Sequence, residues 1–514
     1  MRTTLILPLL GLLATTALHA NNIQVTNTTL VDNTGSTVKV QFDISWENSW
    51  RGGGVNNWDA AWVFVKYRQG QGAWQHVYVN PSGHTTPAGS LLEPGLVDPG
   101  AAHNATTNPV VGLFLRRDAD GNGTFTATGV QLLWDYGVLG IAINDISQVQ
   151  VFAVEMVYVN QGAFTAGSGG TEISAFILTT ISTGTANTAP SGTGSLGGQA
   201  GGFPTGQTAP TSATWPNGFN AFYCMKYEVT QQGYVDFLNS LSYAQQITRT
   251  ATAPNSAAGT GALSSTNADR NGIDINIPGV DPGTAAVYAC NLNGNGVYGE
   301  ATDGKDIACN FLSWGDLTAY LDWSGLRPMT ELEFEKACRG PLFPLADEYP
   351  WGTTGVAASA FTLASPGATN EGIATNYSTT VGNAVYGSTN GTPSGPKRVG
   401  IFAANGSNSG RVTAGASYFG IMELGGNVYE RAVTIGNPSG RVFTGTHGNG
   451  VLALDGDANV ATWPVPSTAD GAGVFGGSWL AVPRFMRVSN RELAAVAFGN
   501  RDNSRGGRGC RLKP

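Results

Sequence analysis

The stretch VFGGSWLAVPRFMRVSNRELAAVAFGNRDNSRGGRGCRLKP, Val474 to Pro514, decides how the chain is read. Gly476 and Gly477 permit backbone angles closed to other residues, and Trp479 supplies a large apolar anchor, so GGSW reads as a tight turn into a buried aromatic. The residues that follow the turn, Leu480, Ala481, Val482, Pro483, Arg484, Phe485 and Met486, form a mostly apolar run and are the candidate ligand-binding segment. Beyond them Arg487, Arg491, Arg501, Arg505, Arg508 and Arg511 recur toward a closing strand. Arginines in that pattern are expected to salt-bridge and tie the fold together rather than to hold an anion.

Composition agrees with an extracellular, loop-rich protein. Glycine accounts for 72 of 514 residues and charged residues for only 12%. A net charge of -8 argues against a nucleic-acid partner, because phosphate binding needs a basic face. Met1 to Ala20 carries Arg2, an apolar run from Leu5 to Leu13 and a small-residue end, the pattern of a secretory signal peptide. No later run approaches the roughly 20 apolar residues of a membrane span, so no membrane span is expected.

Residues 21–149 alternate apolar and polar positions in VKVQFDISW (Val38 to Trp46), AAWVFVKYR (Ala60 to Arg68) and WQHVYVN (Trp74 to Asn80), with glycine-rich turns between them. An all-β sandwich with an aromatic core is expected, and Trp50 with Trp58 is read as packing in preference to a carbohydrate platform. Asp118, Asp120 and Asn122 alternate in RRDADGNGTF, as in the first half of a calcium loop. The twelfth position is Gly129 instead of an acid, so calcium and a plain polar turn are both open.

Residues 150–514 form a second unit. VFAVEMVYVNQGAF (Val151 to Phe164) reads as strand, turn, strand, and the Gly-, Thr-, Ser- and Pro-rich stretch 182–216 reads as a flexible insertion. Three helices follow. The first is capped by Thr230, with Tyr234, Phe237, Leu238 and Leu241 on one face. The second starts at Ser313 with Asp316, and the third has Thr330 and Glu333 as a capping box and Gly340 as its end. Cys290 and Cys309 close a short loop and are expected to form a disulfide.

RPMTELEFEKACRG (Arg327 to Gly340), YPWG (Tyr349 to Gly352), GGNVYE (Gly425 to Glu430) and GGSW together resemble the formylglycine-generating enzyme, or sulfatase-modifying factor, domain. The resemblance covers about the last 360 residues and implies an α+β, C-type-lectin-like fold with long loops. It also implies that Cys224 and Cys510 lie on adjacent strands and form a second disulfide, leaving Cys338 free. Family enzymes carry two cysteines after the GGSW turn that bind copper(I). Those positions are Ala481 and Met486 here, and neither supplies a thiolate. No redox metal is therefore expected. In GGNVYE the resemblance implies a structural calcium held by the backbone of Gly425, Gly426 and Val428 and the side chain of Glu430.

These readings point to a secreted or cell-surface noncatalytic protein. Its scaffold would bind an extracellular protein, a glycan or copies of itself. A structural subunit of a surface layer or filament and a retroelement-diversified receptor varying over residues 480–505 are the alternatives. A metal-dependent oxidase would need a redox metal held without the cysteine pair.

Overall fold

The computed structural model describes residues 22–53, 56–185, 210–387 and 391–514. The expected signal peptide and most of the expected insertion lie outside the described residues. Among those described, no helix is long and apolar enough to cross a membrane.

The chain is mostly β-structure with few helices. In its first third run β1 (Gln24–Val31), β2 (Val38–Gly52), β3 (Asn57–Gln69), β4 (Gln75–His76), β5 (Ser90–Leu96), β6 (Val110–Arg117) and β7 (Gly121–Trp134). The long strand β8 (Ile146–Val159) follows, then the short strands β9 (Phe164–Ala166), β10 (Thr179–Ile181) and β11 (Phe222–Met225). Helices α1 (Gln231–Leu238), α2 (Tyr243–Arg249), α3 (Trp314–Trp323) and α4 (Glu331–Arg339) alternate with β12 (Ile273–Ile277), β13 (Val287–Cys290) and β14 (Arg327–Thr330). The remainder is loop-rich, with β15 (Thr362–Ala364), β16 (Gly372–Thr375), β17 (Glu430–Val433), α5 (Pro438–Arg441), β18 (Ala472–Phe475) and β19 (Gly509–Leu512).

Local signals place the helices. Thr230, Ser313 and Thr330 are N-caps whose hydroxyls accept from the backbone N–H groups of Gly233, Asp316 and Glu333. Asp316 and Glu333 return the bond to the cap residue, completing two capping boxes. Gly340 takes φ 66° where α4 stops, and a Cβ there would press on the ring of Tyr418.

One 13-stranded sheet runs through the chain in the order β1-β2-β3-β8-β11-β19-β14-β17-β18, with β4 and β6 attached to β3, β5 to β6, and β7 to β2. The expected boundary at residues 149 and 150 falls inside β8. That strand pairs with β3 from Ile146 to Val157 and with β11 from Met156 to Val159. Alternate residues of β2 (Val38, Val40, Phe42, Ile44, Trp46) meet Ala61, Val63 and Val65 of β3 and Leu132 and Trp134 of β7 in one core. A second core joins Trp62 and Phe64 of β3 to Tyr223, Tyr234, Leu317 and Trp323 of the later segments. The two regions of sequence therefore share strands and apolar packing.

Candidate functional site

The two glycine motifs are bound to each other. Gly426 N donates to Gly476 O, and Trp479 N donates to Asn427 O. Gly426, Gly476 and Gly477 all have φ between 72° and 94°, which an L side chain rarely adopts. A Cβ on Gly426 would stand 2.6 Å from Val385 O, so the close approach itself requires glycine. Trp479 is buried and its indole N–H donates to Asn503 O at 2.9 Å.

Charge surrounds this junction. Glu228 accepts from Asn427 Nδ2 at 2.7 Å and from Val428 N at 3.1 Å, which holds the Gly425–Glu430 loop in place. Glu430 Oε1 accepts from Arg508 Nε at 2.5 Å, and both residues are fully buried. Arg508 Nη1 also donates to the carbonyls of Met225 and Lys226. Glu423 accepts from Gly400 N. Burial raises the carboxyls of Glu228, Glu423 and Glu430, with Glu423 brought to about 7. Arg508 opposes that shift for all three.

The donor chemistry at this loop is oxygen-only. Glu430 Oε2 and Glu423 Oε2 are buried without a hydrogen-bond partner, so two carboxylate oxygens remain for a hard cation. Among the described residues no group of three or more His, Cys, Asp or Glu side chains is arranged to hold a metal ion. An ion at this loop would depend on main-chain carbonyls and would share Glu430 with Arg508.

The candidate binding segment forms a ridge more than a pocket. Leu480 and Val482 are 40% and 47% exposed, whereas Ala481 and Met486 point inward. Residues Pro483–Met486 make a single 3-10 turn. The Arg484 guanidinium lies 4.4 Å from the Phe485 ring centroid and pairs with Glu492, holding the ridge's polar side. Met486 is fully buried against Tyr349, Trp351, Ala384 and Tyr386. A thioether in a closed aromatic cluster thus fills one position where the family resemblance places a cysteine.

The closing arginines act as ties. Arg484, Arg487, Arg491, Arg501, Arg505 and Arg508 pair with Glu492, Asp347, Glu331, Asp316, Asp502 and Glu430. Arg511 instead donates to the carbonyls of Gly325 and Leu96 and covers Trp62. At the other candidate ion loop, Arg51 donates to the carbonyls of Arg117 and Asp118 and pairs with Asp120 at 3.7 Å. Arg117 Nη2 donates to the carbonyls of Gly123 and Thr124, and Asn122 lies in β7 opposite Trp50. Guanidinium groups already engage the loop's oxygens, which suits the polar-turn alternative.

The disulfide expectations require correction. All five cysteines are free and buried. Cys224 and Cys510 do face each other in the β11–β19 register, as the resemblance implied for these strands. The Cys510 thiol, however, contacts Arg327 Nη1 at 3.0 Å and lies near Glu333, so it is enclosed by an ion pair. Cys290 and Cys309 are likewise thiols, and Cys309 donates to Asn310 O at 3.6 Å. Burial pushes the Cys224 thiol up to about 12 and raises the other four.

Sequence reading missed the polar seam between the first strands and the later segments. Lys226 Nζ sits 2.9 Å from Glu155 and 3.5 Å from Asp59, all three buried. Trp58 stacks on Tyr158 at 4.0 Å and donates to the Tyr223 hydroxyl. Trp50 receives Lys226 over its ring at 4.9 Å. Both tryptophans are thus packing residues at the seam. No local pattern marks these partners, because the nearest of them in sequence, Lys226 and Glu155, are 71 residues apart.

A family model described as the sulfatase-modifying factor enzyme 1-like domain matches residues 145–506. No curated protein matches the chain.

Proposed function

Because the chain belongs to the sulfatase-modifying factor enzyme 1-like family, we propose that it is a noncatalytic, secreted or cell-surface member. Its scaffold binds an extracellular protein, a glycan or further copies of itself. The carrying observation is the fate of positions 481 and 486. Ala481 offers no ligand, and Met486 is withdrawn into an aromatic cluster, so no soft thiolate pair is presented to copper(I). The ridge of Leu480, Val482 and Phe485 that remains is the surface we assign to binding. In this reading residues 21–149 form a β-sandwich that buttresses the family domain along β8. Calcium is structural, held by the backbone of Gly425, Gly426 and Val428 and by Glu430, which steadies the turn beneath the ridge.

The test is a peptide oxidation assay. The purified chain, supplied with copper(I) and oxygen, is incubated with a cysteine peptide carrying a sulfatase motif and the product is weighed by mass spectrometry. The peptide is expected to remain unconverted. Formation of formylglycine would overturn the reading.

A further inference from the structure

A cavity of about 340 Å³ opens between β8 and helices α1 and α3, and Glu228, which braces the Gly425–Glu430 loop, is part of its lining. Its walls come from both regions of sequence. Phe64 and Phe152 stack with ring centroids 5.3 Å apart, and Trp323 meets each edge-on at 5.0 Å, giving an aromatic floor. Two carboxyl groups join this floor. Asp236 accepts from Gln232 Nε2 at 2.7 Å and has no ion-pair partner among the described residues. Glu155 gives Oε2 to Lys226 at 2.9 Å, while its Oε1 is buried with no hydrogen-bond partner, in a residue only 4% exposed.

The local charge is negative. Glu155, Glu228, Asp236 and Asp306 line the cavity, with Lys226 paired to Glu155, Arg508 near Glu228 and Arg398 near Asp306. Burial raises the Asp236 carboxyl to about 6 and that of Glu155 to about 7, the cost of holding such groups without enough countercharge. Lys66 approaches Phe64 and Trp323 but is committed to the carbonyls of Trp323 and Gly450. The faces of Phe64 are taken by Phe152 and His76, so the aromatic wall offers apolar contact to a carbon skeleton, and a part-buried carboxylate gains most from a charged donor. The volume is at the lower end for small-molecule sites.

We propose that this cavity binds a small organic ammonium ion, with its charge held by Asp236 and Glu155 and its carbon skeleton laid on Phe64, Phe152 and Trp323. The site is separate from the 480–486 ridge and does not depend on it.

The experiment titrates the full chain with phenethylamine and with its neutral counterpart 2-phenylethanol, reading heat by calorimetry and the melting midpoint by fluorescence. Saturable binding of the amine with a raised midpoint is expected, and none for the alcohol. Asp236→Asn should weaken the amine by about tenfold or more, the scale of one lost charge-assisted bond. Gly233→Leu supplies an independent check. A Cβ at Gly233 meets Thr230 Oγ1 at 3.4 Å, Tyr320 OH at 3.5 Å and Val229 Cγ1 at 3.9 Å, ordinary contacts, so leucine would fill the cavity without distorting α1. That variant should fold and lose the amine response. Absence of saturable amine binding, equal responses to amine and alcohol, or an unchanged response in Gly233→Leu would each overturn the proposal.

Discussion

Replacing Arg508 by methionine should destabilise the protein by about 3–5 kcal/mol, the cost of breaking a buried pair and leaving a charge behind. Arg508 and Glu430 are both 0% exposed, so solvent cannot take over from the lost partner. The side chain also serves the carbonyls of Met225 and Lys226, and each lost bond adds about 1 kcal/mol. Part of this is recovered by protonation, because burial already raises Glu430, Glu423 and Glu228 above their ordinary values. A carboxyl raised in the folded state is most favourable below its unfolded value near 4.5 and becomes destabilising as pH rises through its folded value, about 7 for Glu423. The deficit in Arg508→Met should therefore be larger at pH 8 than at pH 5.5. Urea unfolding followed by tryptophan fluorescence at both pH values measures it. Glu430→Gln and the double variant complete a cycle that isolates the pair. If the loop also holds calcium, excess calcium should restore part of the loss in Arg508→Met, because the cation replaces the missing guanidinium. A loss under about 1 kcal/mol, the scale of an exposed pair, would refute the argument that this guanidinium neutralises the cluster.

Three further outcomes are expected. The melting midpoint should fall as pH rises from about 4 through 7, since Asp236 and Asp322 are raised to about 6 and Glu155 to about 7 by burial; a midpoint that climbs steadily over this range would contradict those shifts. Iodoacetamide should leave the native protein unlabelled and modify all five cysteines after unfolding, because each thiol is buried and its pKa is raised; rapid labelling of the native chain, or protected cysteines in the unfolded non-reduced chain, would refute this. A chain beginning at residue 150 should aggregate, because it strips β3 from β8 and bares Phe152 and Tyr158, and a folded monomer would show that the shared sheet is dispensable.

Much of the later segment is legible locally. Thr230, Ser313 and Thr330 start helices where cap chemistry predicts, and Gly340 ends one, because capping involves residues only a few positions apart. The alternation over Val38 to Trp46 likewise marks a half-buried strand, and each apolar residue there is in the core. WQHVYVN is reduced to the two-residue strand β4, because its neighbours Val77 and Val79 bond singly across to other strands. The 480–486 run also reads less well. The whole run reads as one apolar binding segment, but the single turn at Pro483–Met486 sends Met486 inward and leaves Leu480 and Val482 outside.

The sequence by itself determined the family, the helix termini and the glycine turns, because those depend on residue chemistry within a few positions. Tertiary structure alone decided that β8 serves both regions, that Arg508 stands against the Glu430 loop, and that Cys224 and Cys510 face each other as thiols. Each of those depends on which distant segments share a low-dielectric interior. Burial there makes a charge seek its partner across the chain, and no local pattern carries that information.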